Sequence, residues 1–109
     1  MEDKIIDFAI KVAACVCGKD GVISQSEEQA ILTTITFGYP NYSLKRFNQV
    51  LEDFFDETLE LEDYLEQLSG TNLKQFTINL CEFSASADGL DIKENIALHK
   101  VKLILGEEL

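Results

Sequence analysis

Two acidic turns hold the residues best suited to chemistry. The first is Lys19-Asp20-Gly21-Val22-Ile23-Ser24-Gln25-Ser26-Glu27-Glu28 and the second is Ala87-Asp88-Gly89-Leu90-Asp91-Ile92-Lys93-Glu94-Asn95. Carboxylates and hydroxyls at this spacing can cap a helix or collect a hard cation. As caps, Ser24 and Asp91 would each accept an orphan backbone N–H, and Glu27 and Glu94 would reach back to the cap's own N–H. As cation ligands, the first copy matches the back half of a calcium loop of the EF-hand type. Gly21 takes its sixth position, Asp20 its fifth, Ser24 its ninth and Glu27 its twelfth. Positions one and three fall on Val16 and Gly18, which have no side-chain oxygen, and calcium takes about six to eight oxygens. A regular EF-hand is therefore not expected.

The other chemistry-bearing residues form no such pattern. Cys15 and Cys17 would point about 200° apart on a helix of 3.6 residues per turn, which is poor metal geometry. Cys81 reads as a small core residue. His99 is the only histidine, and no Gly-rich phosphate loop occurs. Without a nucleophile, base and orienting group, enzymatic activity is not expected. A separate acidic run, Glu52, Asp53, Asp56, Glu57, Glu60, Glu62, Asp63 and Glu66, holds eight of the 20 carboxylates, and no Lys or Arg lies between Arg46 and Lys74. It reads as a solvated face or as a docking surface for a basic partner, with Asp53, Glu60 and Asp63 as the partner-binding candidates.

The net charge of -11 and pI near 4.3 oppose direct contact with nucleic acid, which needs a basic patch. They also oppose an anionic membrane surface and permit cations or basic proteins. No apolar run reaches the length of a membrane span, so membrane insertion is not expected. Met1-Glu2-Asp3-Lys4 lacks the basic start of a signal peptide, and three cysteines suit a reducing cytoplasm.

Helical spacing runs through the chain of 109 residues, which reads as a single domain. Ile5, Ala9, Val12, Ala13 and Val16 mark a first helix that ends at Gly18. Ala30, Ile31, Thr34 and Ile35 mark a second, starting at Ser24 and ending near Gly38. Ser43 caps a third, with Leu44, Phe47, Val50, Leu51, Phe54 and Phe55 as its buried face. Leu61, Tyr64, Leu65 and Leu68 mark a short fourth, closed by Ser69-Gly70. Thr71 or Asn72 caps a fifth, whose stripe Leu73, Phe76, Leu80, Phe83 and Ala87 places it at the centre of the core. Ile96, Ala97, Val101, Ile104 and Leu105 mark a sixth. Nothing alternates with period two for long, so the fold class expected is all-α: one compact bundle of about six helices. Helices one and two form one hairpin and five and six a pseudo-symmetric second, each bent at an acidic turn.

An Ala-rich helix, then Asp-Gly-x-Ile-Ser-x-x-Glu, then an amphipathic helix, with Ala-Asp-Gly recurring near the C-terminus, resembles the TerB-like (tellurite resistance protein B) domain. The resemblance spans roughly Ile5 to Gly106. It implies an all-α bundle and an intracellular bacterial protein tied to stress responses such as tellurite resistance or defence against phage, as a component of a larger complex. It also implies that acidic residues bind a divalent cation, and an all-oxygen carboxylate set suits a hard ion such as calcium or magnesium. Carried onto this chain, the ligands are Asp20 and Glu27 in one copy and Asp88 and Glu94 in the other. If the hairpins lie side by side, these four carboxylates meet at one end of the bundle. There they would repel one another unless separated, protonated or bridged by a cation. The function expected is a non-enzymatic accessory module that binds a protein partner. The alternative is a small acidic inhibitor, an immunity protein or a nucleic-acid mimic that blocks a basic site. The duplicated Asp-Gly motif favours the first, since an inhibitor has no need of it.

Overall fold

The computed structural model describes residues 2–18, 23–87, 89 and 92–106. They form six helices: α1 (Glu2–Cys17), α2 (Gln25–Gly38), α3 (Leu44–Asp56), α4 (Leu61–Leu68), α5 (Lys74–Ala85) and α6 (Ile92–Gly106). Among the described residues there is no strand, and the architecture is the all-α bundle expected. No helix is long and apolar enough to cross a membrane, again among the described residues.

The middle of the core belongs to α1, not to α5 as the stripes suggest. Besides the expected Ala9, Val12, Ala13 and Val16, α1 also buries Ile6, Ile10, Ala14 and Cys17. A helix apolar on nearly every side must be covered on nearly every side, and α1 packs against all five other helices. Its alanines are strong helix formers and let neighbours approach closely.

The helix α5 buries a different face from the one its large apolar residues draw. Leu80 is fully buried, but Phe83 is 57% exposed, Ala87 is exposed and Phe76 only half-buried. The face turned inward is Thr77, Ile78, Leu80, Cys81, Ser84 and Ala85. Thr77 Oγ1 donates to the Leu73 carbonyl at 2.7 Å and Ser84 Oγ to the Leu80 carbonyl at 2.7 Å. Each hydroxyl is thus satisfied within its own helix and packs like a small apolar side chain. That is why hydropathy alone selects the wrong stripe. The N-terminus of α5 also differs from expectation. Leu73 is the cap residue, while Thr71 donates to the Leu68 carbonyl at 2.7 Å and accepts from the Leu73 N–H at 3.3 Å, bridging α4 to α5.

Elsewhere the boundaries follow the capping residues. Ser43 Oγ accepts from the Arg46 N–H at 3.1 Å at the start of α3. Phe47, Val50 and Leu51 are buried and Phe54 half-buried, but Leu44 and Phe55 face outward. All four expected residues of α4, Leu61, Tyr64, Leu65 and Leu68, are buried. In α6, Ala97, Leu98, Val101 and Leu105 are buried and Ile104 half-buried, whereas Ile96 is exposed. Gly18 follows α1 for a reason of space: a Cβ there would lie 2.5 Å from Cγ1 of Ile23. The two hairpins do pack together, because α5 contacts α1, α2 and α6.

Two polar clusters fasten α1 to the segment from Tyr42 to Tyr64. Arg46 grips Asp7 with two hydrogen bonds, Nε to Oδ1 at 2.9 Å and Nη2 to Oδ2 at 2.7 Å, and the Tyr42 hydroxyl donates to the same carboxylate. Further along, Lys11 Nζ lies 2.8 Å from Glu57 Oε2, while the Tyr64 hydroxyl donates to Glu57 Oε1 at 2.7 Å. The ammonium also sits 5.8 Å from the Phe8 ring centre and 5.9 Å from that of Tyr64. Burial, and then the bond to Glu57, raises the Tyr64 hydroxyl well above the usual phenol range.

Candidate functional site

The first acidic turn leads into α2 through a complete capping box. Glu27 N–H donates to Ser24 Oγ at 3.1 Å and Ser24 N–H donates to Glu27 Oε1 at 3.0 Å. Glu27 is only 4% exposed. Its carboxylate therefore sits where the free N–H groups of α2 concentrate positive potential, which stabilises the charge without a metal. Glu94, at the matching place in α6, is buried as well. In the second turn Gly89 has φ of +84°, the left-handed conformation that the Asp-Gly pair predicts, and its N–H donates to the Ser86 carbonyl at 3.2 Å. Asp20, Asp88 and the cap residue Asp91 lie outside the described residues. Among the described residues, no group of three or more His, Cys, Asp or Glu side chains is placed to hold a metal ion.

The acidic run occupies α3, α4 and the short segment between them. Asp53, Glu60 and Asp63 are all exposed there, and each already has a local position. Asp53 accepts from Gln49 Nε2 at 3.0 Å, one turn back on α3. Asp63 Oδ2 accepts from the Glu60 N–H at 2.9 Å, closing the first turn of α4. Glu57 alone of the run turns inward, to Lys11 and Tyr64. Glu62 pairs with Lys100 of α6 at 2.8 Å, and that contact raises the Lys100 ammonium above its usual range.

Two features of this face are absent from the sequence reading. The first is apolar exposure: Phe55 is 49% and Leu59 52% exposed, among the acidic residues of the run in sequence. Phe54 is half-buried while its neighbour Phe55, about 100° further round the helix, faces outward. The second is a cavity of about 260 Å³ just behind the face. Phe54, Leu59, Leu61 and Ala97 form apolar walls, Cys15 of α1 and Gly18 just after it contribute to the lining, and Glu60, Glu62 and Lys100 add the charged groups. No sequence signal could have found it, because its lining comes from four separate segments.

The three cysteines converge although sequence separates them. None is in a disulfide. Cys17 Sγ donates to Ser84 Oγ at 3.6 Å, joining α1 to α5. Burial, and then the Cys17 and Cys15 thiols, push the Cys81 thiol well above its usual range, so it stays protonated and unreactive. Cys81 is the core residue expected. His99 is exposed on α6.

No family model, curated protein or solved structure matches this chain.

Proposed function

We propose that the chain is a non-enzymatic, TerB-like accessory module of a bacterial stress-response or defence system, and that it binds a basic protein partner through the α3–α4 face. One observation carries the reading: Phe55 and Leu59 stand exposed within the run of carboxylates. Protein interfaces pair an apolar centre with a charged rim. The surrounding carboxylates would steer a basic partner toward this patch, and its apolar pair would hold it.

The test is co-purification of the tagged chain from its native cells, using wild type and the triple variant Asp53→Lys/Glu60→Lys/Asp63→Asn. Asparagine at 63 keeps an acceptor for the Glu60 N–H at the start of α4. A partner recovered with wild type should be lost with the variant while the circular-dichroism spectrum is unchanged. Equal recovery with both proteins would make this an ordinary solvated face.

A divalent cation at the acidic turns is the second part of the proposal. The resemblance suggests it. Millimolar calcium or magnesium should then raise the melting temperature, since binding to the folded state stabilises it by mass action. Asp20→Asn/Asp88→Asn should remove that rise. An unmoved wild-type curve and no binding heat would leave both glutamates as caps.

A further inference from the structure

We infer that the cavity behind the α3–α4 face is an anchor pocket for a single arginine side chain of the basic partner. This rests on the proposed role of that face and adds what the face reads. Size comes first. Drug-sized ligands occupy pockets of roughly 300–1,000 Å³, and this cavity, at about 260 Å³, falls below them. It suits one long side chain.

The lining then selects the side chain. Phe54, Leu61 and Ala97 offer apolar walls for an aliphatic stem, and Leu59 reaches from the wall onto the exposed face. Glu60 and Glu62 contribute two carboxylates against the one ammonium of Lys100, so the charged lining carries a net negative charge at neutral pH. A cationic head with an apolar stem satisfies both parts, and an anionic or neutral ligand satisfies only one. Arginine fits better than lysine. Its planar guanidinium can stack on an aromatic face such as Phe54 and can meet carboxylates with two parallel hydrogen bonds.

Lys100 shows how such a cation sits. Its Nζ lies 2.8 Å from Glu62 Oε2, with both side chains substantially exposed. An exposed pair of this kind is weak and exchangeable. An incoming guanidinium can share or take over Glu62 while Lys100 turns to solvent. Arginine anchors in partly enclosed pockets are also the residues on which protein interfaces concentrate their affinity.

The experiment is an NMR titration of the isotope-labelled full chain with N-acetyl-argininamide to tens of millimolar. N-acetyl-leucinamide and sodium chloride at matched ionic strength serve as controls. Cys15, Gly18 and Ala97 line the cavity, and their amides should shift along one saturable curve with the arginine probe alone. Glu60→Gln/Glu62→Gln should weaken that curve about fivefold, the scale of exposed charge pairs. Lys100→Met should strengthen it by removing the competitor for Glu62. Unmoved cavity amides, equal shifts with the leucine probe, or a curve indifferent to the glutamine variants would each overturn the pocket. If the cavity stays silent while the triple face variant still loses its partner, the pocket fails and the face stands. If the cavity takes the probe while that variant keeps its partner, the cavity binds arginine but is not the partner's anchor, and the inference is overturned together with the face.

Discussion

Leu80→Ala should destabilise the fold by about 2–5 kcal/mol, while Phe83→Ala, three positions along, should change stability by less than about 0.5 kcal/mol. Both residues lie on the stripe that sequence spacing draws along α5. Leu80 has no exposed surface and lies on the helix that packs most extensively on α1. Truncation there removes apolar atoms from a core that can relax only partly, so the lost transfer energy and the cavity add. Phe83 projects mostly into solvent and leaves little behind when shortened. Urea unfolding followed by circular dichroism measures both, and the midpoints should separate widely while the slopes stay alike. A Phe83→Ala loss as large as that of Leu80→Ala would return α5 to the orientation read from spacing.

Glu57→Ala should cost about 2–3 kcal/mol, more than any other single removal of charge on the α3–α4 side. Its partner Lys11 has a side chain only 11% exposed, against 31% for Glu57 itself. Removing the carboxylate leaves a nearly buried ammonium without its counter-charge and takes the acceptor from the Tyr64 hydroxyl. Loss of one member of a fully buried pair costs roughly 3–5 kcal/mol, and the partial exposure of Glu57 reduces that figure. Lys11→Met should be milder, near 1 kcal/mol, because methionine keeps a stem against Phe8 and Tyr64 and Glu57 can turn to water. Thermal melts of the two single variants and the double variant would give the coupling directly. Equal losses for Glu57→Ala and Lys11→Met would show that packing, not charge, holds this contact.

How far the sequence could be read depends on where each residue's partners lie. The capping box of Ser24 and Glu27 closes within four residues, so it was fully legible, and so was the four-residue inward face of α4. The inward face of α5 was misread because Thr77 and Ser84 spend their hydroxyls on their own helix, which no hydropathy scale counts. The rank of α1 as central helix was missed for a related reason. Its extra buried residues, Ile6, Ile10 and Ala14, fall outside the single stripe that period 3.6 was used to trace. The carboxylates of the candidate face were visible as a charge run. The exposure of Phe55 and Leu59 was not, since it depends on which neighbours turn toward α1. The cavity depends on contacts between distant segments and had no local signature.

The burial of α1 by five helices has a consequence for how the chain is made. During synthesis α1 leaves the ribosome before any helix that covers it. A helix of 16 residues is marginal in water by itself, and this one is sticky on nearly every side. Its coverage by α4, α5 and α6 comes from residues that emerge much later. Until α4 and α5 are released, a nascent chain carries a largely uncovered apolar segment, the kind of surface that chaperones hold and that aggregates when they do not. Loop closures this long also slow folding, since their entropy must be lost before the contacts that repay it can form. The bundle therefore assembles late and around α1, so a chain stopped short of α4 and α5 presents α1 as a target for quality control.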